Sequence, residues 1–341
     1  MRPMRIAFIG GYGHHYLRGT VKHQAAAGQP VTVAAAKDGF DDAHAKAFAE
    51  KSFGPTGFQW FDSAESMLND FKPDFVSVGG AYGYNGALAA LALERDIPTV
   101  TDKPAAATWA QLERLRELHA ENPARVLVTE FNFRSEAPFR AARDAIAAGE
   151  LGEVTLANAQ KSYKFGTRPK WYADRAAYAG TMLWIASHAI DAIRFATGRR
   201  FRRVLAMHGN AARPEYGTME DHTAAIFELD GGATGIAHAD YCRPAKAATH
   251  GDDRLRVAGT RGVVEIIAGR CRLVTHDAEE QDITARATPR PAHVEMLAAL
   301  RGEDRSLYSM DATLELAEVL LHARDAADTG KPVDLRPIPS A

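Results

Sequence analysis

Cysteine is nearly absent from this sequence. With only Cys242 and Cys271 among 341 residues, no disulfide framework can be built and no C-x-x-C metal spacing occurs, which points to a reducing compartment. A basic surplus is missing too. The 41 Lys and Arg are balanced by 43 Asp and Glu, and no basic stripe is present, which argues against a nucleic-acid or membrane-surface partner. No window approaches the roughly 18 apolar residues of a spanning helix. The start, "MRPMRIAFIGG", enters a strand-like run without the longer apolar region and cleavage site of a signal peptide. A cytoplasmic, soluble protein is therefore expected. Metal-ligand spacing of the H-E-x-x-H kind is also lacking, and the adjacent His14 and His15 cannot easily face one ion, so no metal is expected. What is abundant is core material. With 46% hydrophobic residues and 25% charged, the chain has the length and composition for two domains at roughly 100–200 residues each.

The first third alternates two patterns. Short apolar runs, "RIAFIG" (5–10), "VTVAAA" (31–36), "DFVSVGG" (74–80), "PTVTDKP" (98–104) and "RVLVTEF" (125–131), read as strands. Between them lie helical segments such as "DDAHAKAFAEKSFG", "NGALAALALERD" and "WAQLERLRELHAENP". This alternation predicts an α/β domain with a doubly wound parallel sheet, whose ligand binds beyond the carboxyl ends of the strands.

The first strand end reads "IGGYGHHYLRG". In a G-x-G-x-x-G turn the glycines let the backbone approach a pyrophosphate at the following helix N-terminus. Gly11, Tyr12, Gly13 and His14 form such a turn, although Tyr16 takes the third glycine's place. At the end of the second strand the chain reads Ala36-Lys37-Asp38. If Ala36 holds the strand-end position, Lys37 is placed for a 2′-phosphate and NADP is favoured over NAD. If Asp38 points inward, the choice reverses, because a carboxylate there holds the ribose hydroxyls of NAD.

Further on, "GTMLWIASHAID" continues into "AIRFATG" as one nearly unbroken apolar helix that nevertheless carries a histidine and an aspartate. Residues three or four apart share a helix face, so Trp184, His188, Asp191 and Phe195 form one stripe. Buried ionisable groups are costly unless paired or used, which makes His188 and Asp191 candidate functional residues beside the plainer reading of a satisfied core histidine.

Just beyond a buried strand stands Lys103, in "TDKPAAATW". Here the chain resembles the Gfo/Idh/MocA oxidoreductase family. That family's "E-K-P" appears as Asp102-Lys103-Pro104, its "N-x-R…P" as Asn132-Phe133-Arg134…Pro138, and its "G-x-L-G-x-V" as Gly149 to Val154. The helix around His188 is similar to the family's "G-G-G-x-L-x-D-x-G-x-H-x-x-D", with Asp191 on the last aspartate. The resemblance runs over essentially the whole chain. It implies an N-terminal Rossmann domain (1–130) and a C-terminal α+β substrate-binding and oligomerisation domain (131–341) with a large, mostly antiparallel sheet, the C-terminal helix being able to pack back on the first domain. It further implies an NAD(P)-dependent oxidoreductase acting on the carbinol carbon of a sugar, sugar acid or cyclitol, with the active site between the domains. Lys103 then polarises the reacting oxygen, His188 serves as acid or base, and Asp191 helps to hold its ring. A homo-oligomer, dimer or tetramer, built through the C-terminal sheet is implied as well, as is a cis bond before Pro104.

The chain departs from the pattern around the crevice. Trp184 stands where the family usually has an aspartate, Ala186 where it has a glycine, and Asn85 where it often has a histidine near the cofactor. Tyr163, Trp171, Tyr172 and Trp184 are the candidate lining of a pocket for a sugar-like small molecule, since aromatic faces stack on sugar rings. Two alternatives stay open: a dinucleotide- and sugar-binding sensor without turnover, and a lyase or glycosidase that uses bound NAD in an internal redox cycle.

Overall fold

The computed structural model describes residues 2–335. It divides into two compact units, the first made of residues 2–130 with 291–318 and the second of residues 131–290 with 319–335. Residues 291–318 thus group with the first unit, not with the second half of the chain that precedes them.

In the first unit, β1 (Met4–Ile9), β2 (Val31–Ala36), β3 (Gln59–Phe61), β4 (Phe75–Val78), β5 (Thr99–Thr101) and β6 (Leu127–Thr129) pair in the order β3-β2-β1-β4-β5-β6. Every pairing is parallel. This is the Rossmann order, which reverses direction between β1 and β4 and opens a crevice at their carboxyl ends. The strands read as continuous apolar runs because helices cover both sheet faces, and all four residues of β4 are buried. Helices α1 (Leu17–Ala26), α2 (Asp42–Phe53), α3 (Ala64–Phe71), α4 (Asn85–Leu93) and α5 (Trp109–Glu121) alternate with them. Side chains cap three of these helices: Asp41, Ser63 and Thr108 accept from the backbone N–H groups of His44, Ser66 and Gln111. The three-residue β3 and the eight-residue α3 had no counterpart in the strand and helix patterns read from the sequence.

The second unit starts with α6 (Ala137–Ala147), set by Pro138 in its first turn, and β7 (Val154–Tyr163). Three helical pieces follow: α7 (Arg175–Tyr178), α8 (Thr181–Trp184) and α9 (Ala186–Thr197), the last stopped by Gly198 in the left-handed conformation. Strands β8 (Phe201–Gly209), β9 (His222–Leu229), β10 (Thr234–Asp240), β11 (Gly251–Gly259), β12 (Gly262–Ile267), β13 (Arg270–Thr275) and β14 (Ala278–Asp282) come next. Helix α10 (Ala292–Leu300) and the start of α11 (Met310–Thr329) group with the first unit, and the rest of α11 and β15 (Val333–Asp334) with the second.

The sheet of this unit has nine strands in the order β14-β13-β12-β11-β7-β10-β9-β8-β15, antiparallel except for the β7–β10 pair. Helix α9 packs across β7, β10 and β11, and α6 across β12 and β13. The alternation in β9, with Thr223, Ala225 and Phe227 buried and Ile226 exposed, shows one face turned to the helices and one left open.

Candidate functional site

The crevice of the first unit is built around the turn after β1. Gly10 adopts φ +80°, and a Cβ on Gly13 would lie 2.6 Å from the Cα of Gly79. Glycine is required at both because the turn presses against the end of β4. The N–H groups of Tyr12 and Gly13 donate to the Gly79 carbonyl at 2.9 and 3.0 Å. Tyr12 stacks on His44 with ring centroids 4.0 Å apart, and its hydroxyl donates to Asp41. Tyr16, in the place of the third glycine, precedes α1 and donates its backbone N–H to Glu130 Oε1 at 3.0 Å.

At the end of β2, Lys37 and Asp38 have different surroundings. Lys37 is held between Asp62 at 3.4 Å and Asp42 at 3.5 Å, and these charges raise its pKa. The Asp38 carboxylate turns inward instead: Oδ1 accepts from the N–H groups of Phe40 and Asp41, while Oδ2 is buried without a hydrogen-bond partner. A Cβ on Gly80 would stand 3.2 Å from that oxygen, so Asp38 faces the end of β4 at the switch point. An orphaned carboxylate oxygen there fits a pair of ribose hydroxyls, and its charge disfavours a 2′-phosphate.

Lys103 follows β5, and the Lys103–Pro104 bond is cis. The lysine side chain is buried; its Nζ donates to Asp102 Oδ1 at 2.8 Å and lies 3.2 Å from His14 Nδ1. Asp102 is fully buried and also accepts from the backbone N–H groups of His14 and Lys103. Burial opposes its ionisation, but the charge of Lys103 together with His14 holds its pKa well below the usual carboxylate range. Asn85 is spent inside the protein: its side chain accepts from Gly80 N–H and donates to the Asp102 carbonyl, and none of it is exposed. It joins the ends of β4 and β5.

Two buried residues of this cluster were not singled out from the sequence. Burial, reinforced by the charge of Asp102, raises the Glu130 carboxyl well above its ordinary pKa. Burial likewise lowers His15 to about 3, with its Nδ1 2.8 Å from Ser77 Oγ. The signal for Glu130 was its position one residue past a buried strand, at the same sheet edge as Lys103.

In the second unit the helix read from Gly180 onward is two helices. The Ser187 hydroxyl donates to the Trp184 carbonyl at 2.9 Å, and the His188 N–H bonds the Ile185 carbonyl three residues back. The break therefore falls at Ile185, inside the stripe. His188 is 6% exposed, with its ring 5.4 Å from Phe131 in an edge contact and 6.2 Å from Phe133. Asp191 has a different partner from the one the stripe implied. Its Oδ2 accepts from Arg134 Nε at 2.8 Å and its Oδ1 from Arg134 Nη2, so the carboxylate faces a guanidinium rather than the imidazole.

Of the aromatic lining, Tyr172 and Trp184 are buried. Tyr172 stacks on Tyr178 at 4.5 Å, and Tyr178 donates to the Tyr241 hydroxyl. Trp171 lies 4.8 Å from Tyr172 and is half-buried, as is Tyr163, which covers the Lys161 ammonium at 4.8 Å. No group of three His, Cys, Asp or Glu among the described residues could hold a metal ion, and no helix among them is long and apolar enough to cross a membrane.

Comparison with known proteins identifies the architecture. Residues 4–130 match the profile of an oxidoreductase family with an NAD-binding Rossmann fold, and residues 139–265 match the GFO/IDH/MocA C-terminal domain. The chain belongs to the Gfo/Idh/MocA oxidoreductase family. Among solved structures, a Thermotoga maritima protein provisionally called an oxidoreductase is 29% identical, with 97% of this chain and 100% of that one covered and a TM-score of 0.88. An inositol dehydrogenase homologue from Azotobacter vinelandii, solved with NADH and myo-inositol, shares the fold at 20% identity, 98% coverage of both chains and a TM-score of 0.76. YteT of Bacillus subtilis, which also carries a provisional oxidoreductase name, is 26% identical over 149 residues, 42% of this chain and 35% of that protein. The match thus spans about a third of the curated relative's length.

Proposed function

We propose that this oxidoreductase is an NAD-dependent dehydrogenase that oxidises a carbinol carbon of a sugar, sugar acid or cyclitol. The observation that carries the reading is Lys103, a buried cation fixed on Asp102 at the carboxyl edge of the Rossmann sheet, where a surface lysine has no reason to be. When bound, the dinucleotide supplies the hydride acceptor. The turn from Gly11 to His14 and the free oxygen of Asp38 hold it, and the inward Asp38 is the reason for preferring NAD to NADP. The inositol dehydrogenase homologue bound to NADH is consistent with that preference.

Lys103 donates a hydrogen bond to the substrate oxygen and stabilises the negative charge that grows there as the hydroxyl proton leaves. Asp102 fixes the direction of that ammonium. His188, held by Phe131 and Phe133, takes the proton as general base. Asp191 has a positioning role, through Arg134 and the turn that carries Phe133. Trp184, in place of the family's aspartate, leaves proton handling to His188 and closes the wall with an apolar ring.

The open sheet face carries Leu205, Met207 and Ile226, with Met207 75% exposed. We assign it to pairing with a second copy of the chain. Met207→Glu should convert the oligomer to monomer in light scattering; an unchanged mass would remove this assignment. The function itself is tested by mass spectrometry of any nucleotide that co-purifies, together with reduction of NAD⁺ and NADP⁺ over a panel of sugars and cyclitols. Nucleotide binding without turnover on any of them would overturn the dehydrogenase reading in favour of a sensor.

A further inference from the structure

In the turn after β1, two partners compete for one nitrogen. His14 Nδ1 lies 3.2 Å from Lys103 Nζ and 3.3 Å from Asp102 Oδ2. An ammonium only donates and an ionised carboxylate only accepts. Both contacts therefore cannot be hydrogen bonds at once: a bare Nδ1 accepts from Lys103, and a protonated Nδ1 donates to Asp102. The carboxylate is already divided between the two residues, Oδ1 accepting from the side chain and backbone N–H of Lys103 and Oδ2 from the backbone N–H of His14 at 2.9 Å. Exposure separates them. The side chains of Asp102 and Lys103 are 0% and 3% exposed and that of His14 is 51%, so solvent protons reach the buried ion pair at His14.

The other ionisable groups at this corner of the first unit leave the choice to His14. Tyr16 stacks its ring on the imidazole at 6.2 Å. His15 is held neutral by burial down to about 3. Glu130, after β6, accepts from the Tyr16 N–H, and burial reinforced by Asp102 raises its pKa and favours its neutral form. Arg18 in α1 bonds Ser52 and covers the Phe48 ring. From β4 and α4 come Ser77 and Asn85, which do not titrate.

With Nδ1 bare, His14 gives the buried ammonium a second acceptor beside Asp102 and fixes its direction. With a proton on Nδ1, the ring draws on the same carboxylate, and once both nitrogens are protonated it is a second cation 3.2 Å from the first. We propose that His14 is a positioning residue for Lys103 that works only with Nδ1 bare, so that acid disables the lysine through the turn assigned to the cofactor. The coupling of His14 to Lys103 stands apart from activity, whereas its consequence for turnover rests on the dehydrogenase reading.

Long-range ¹H–¹⁵N spectra of protein labelled with ¹⁵N-histidine read the proton on each ring nitrogen, His14 being assigned by its loss in His14→Gln. The neutral wild-type ring should carry its proton on Nε2. In Lys103→Met the competing ammonium is gone, so the proton should move to Nδ1 and the titration midpoint of His14 should rise by about one pH unit or more. A neutral wild-type ring protonated on Nδ1 overturns the proposal, as does an equal midpoint in Lys103→Met. If Lys103→Met does not fold, the wild-type tautomer decides.

Turnover gives a second readout, with saturating NAD⁺ and myo-inositol, glucose or gluconate as the varied substrate. The acid limb of log kcat/KM should belong to His188 and His14 together, with a limiting slope of about two, and His14→Gln, which keeps an acceptor but no titrating proton, should reduce it to about one and extend the limb to lower pH. Acid limbs that coincide in the two forms overturn the proposal. If no sugar or cyclitol is oxidised, it is the dehydrogenase reading that fails, and the tautomer and midpoint still decide the role of His14.

Discussion

Replacing Asp191 by alanine separates a structural role from a chemical one. The Asp191 side chain is 1% exposed and Arg134 10%, and the guanidinium spends Nε and Nη2 on the carboxylate while its face lies over Phe131 at 5.6 Å. Removing the acid leaves a buried cation uncompensated, which costs roughly 3–5 kcal/mol. At about 2–4 °C per kcal/mol for a unit of this size, the melting temperature should fall by roughly 6–20 °C. Arg134→Leu combined with Asp191→Ala should recover part of the loss, because the pair is then replaced rather than broken. Differential scanning calorimetry on the three variants reads the stability, and kcat measured well below the transition reads the chemistry. If Asp191→Ala melts within about 1 °C of wild type yet loses most of its kcat, the carboxylate acts on the imidazole after all.

His188→Asn should lower kcat by roughly 10²–10⁴-fold, the usual cost of a lost general base, with nucleotide affinity nearly intact; full turnover on a confirmed substrate would make the histidine structural. Asp38→Ala should weaken NAD⁺ by roughly tenfold or more and NADP⁺ much less, whereas Lys37→Ala should shift neither strongly. Fluorescence titration of both nucleotides checks this, and a selective loss of NADP⁺ affinity in Lys37→Ala would restore the phosphate role. His15 stays neutral in the folded protein down to about 3 against an ordinary 6.5. The unfolded chain therefore binds the proton first, and the stability this group contributes is intact above about 6.5 and lost as pH falls toward 3, on the order of 4–5 kcal/mol across the window. His15→Gln should flatten the acid limb of melting temperature against pH; an unchanged slope would place the titrating group elsewhere.

The parallel sheet was legible because buried strands of this kind are plain apolar runs: Val31–Ala36 was read to the residue. Gln59–Phe61 was not, since three residues carry no period. Lys103 and His188 stood out as charged groups in apolar surroundings. What stayed hidden depended on partners distant in sequence or on torsions that side-chain pattern does not encode. Arg134 claims Asp191 from 57 positions away. A helix that hydrophobic periodicity shows as continuous is interrupted at Ile185, where the Ser187 hydroxyl bonds the Trp184 carbonyl. Which of Lys37 and Asp38 the loop after β2 directs inward was hidden as well, because adjacent residues in a loop have no fixed alternation.

The parallel pairing of β7 with β10 has a consequence for how the protein is made. Antiparallel neighbours such as β8 and β9 can meet soon after synthesis, but Leu156 meets Thr234 only when about 80 further residues have emerged, and long-range pairings of this kind form slowly. Helix α9 lies across both strands. Its floor stays incomplete until β10 and then β11 arrive, so a nascent chain halted before Thr234 has already produced His188 but leaves it on a helix with an unfinished apolar seat. That interval is when a chaperone would find the most to bind.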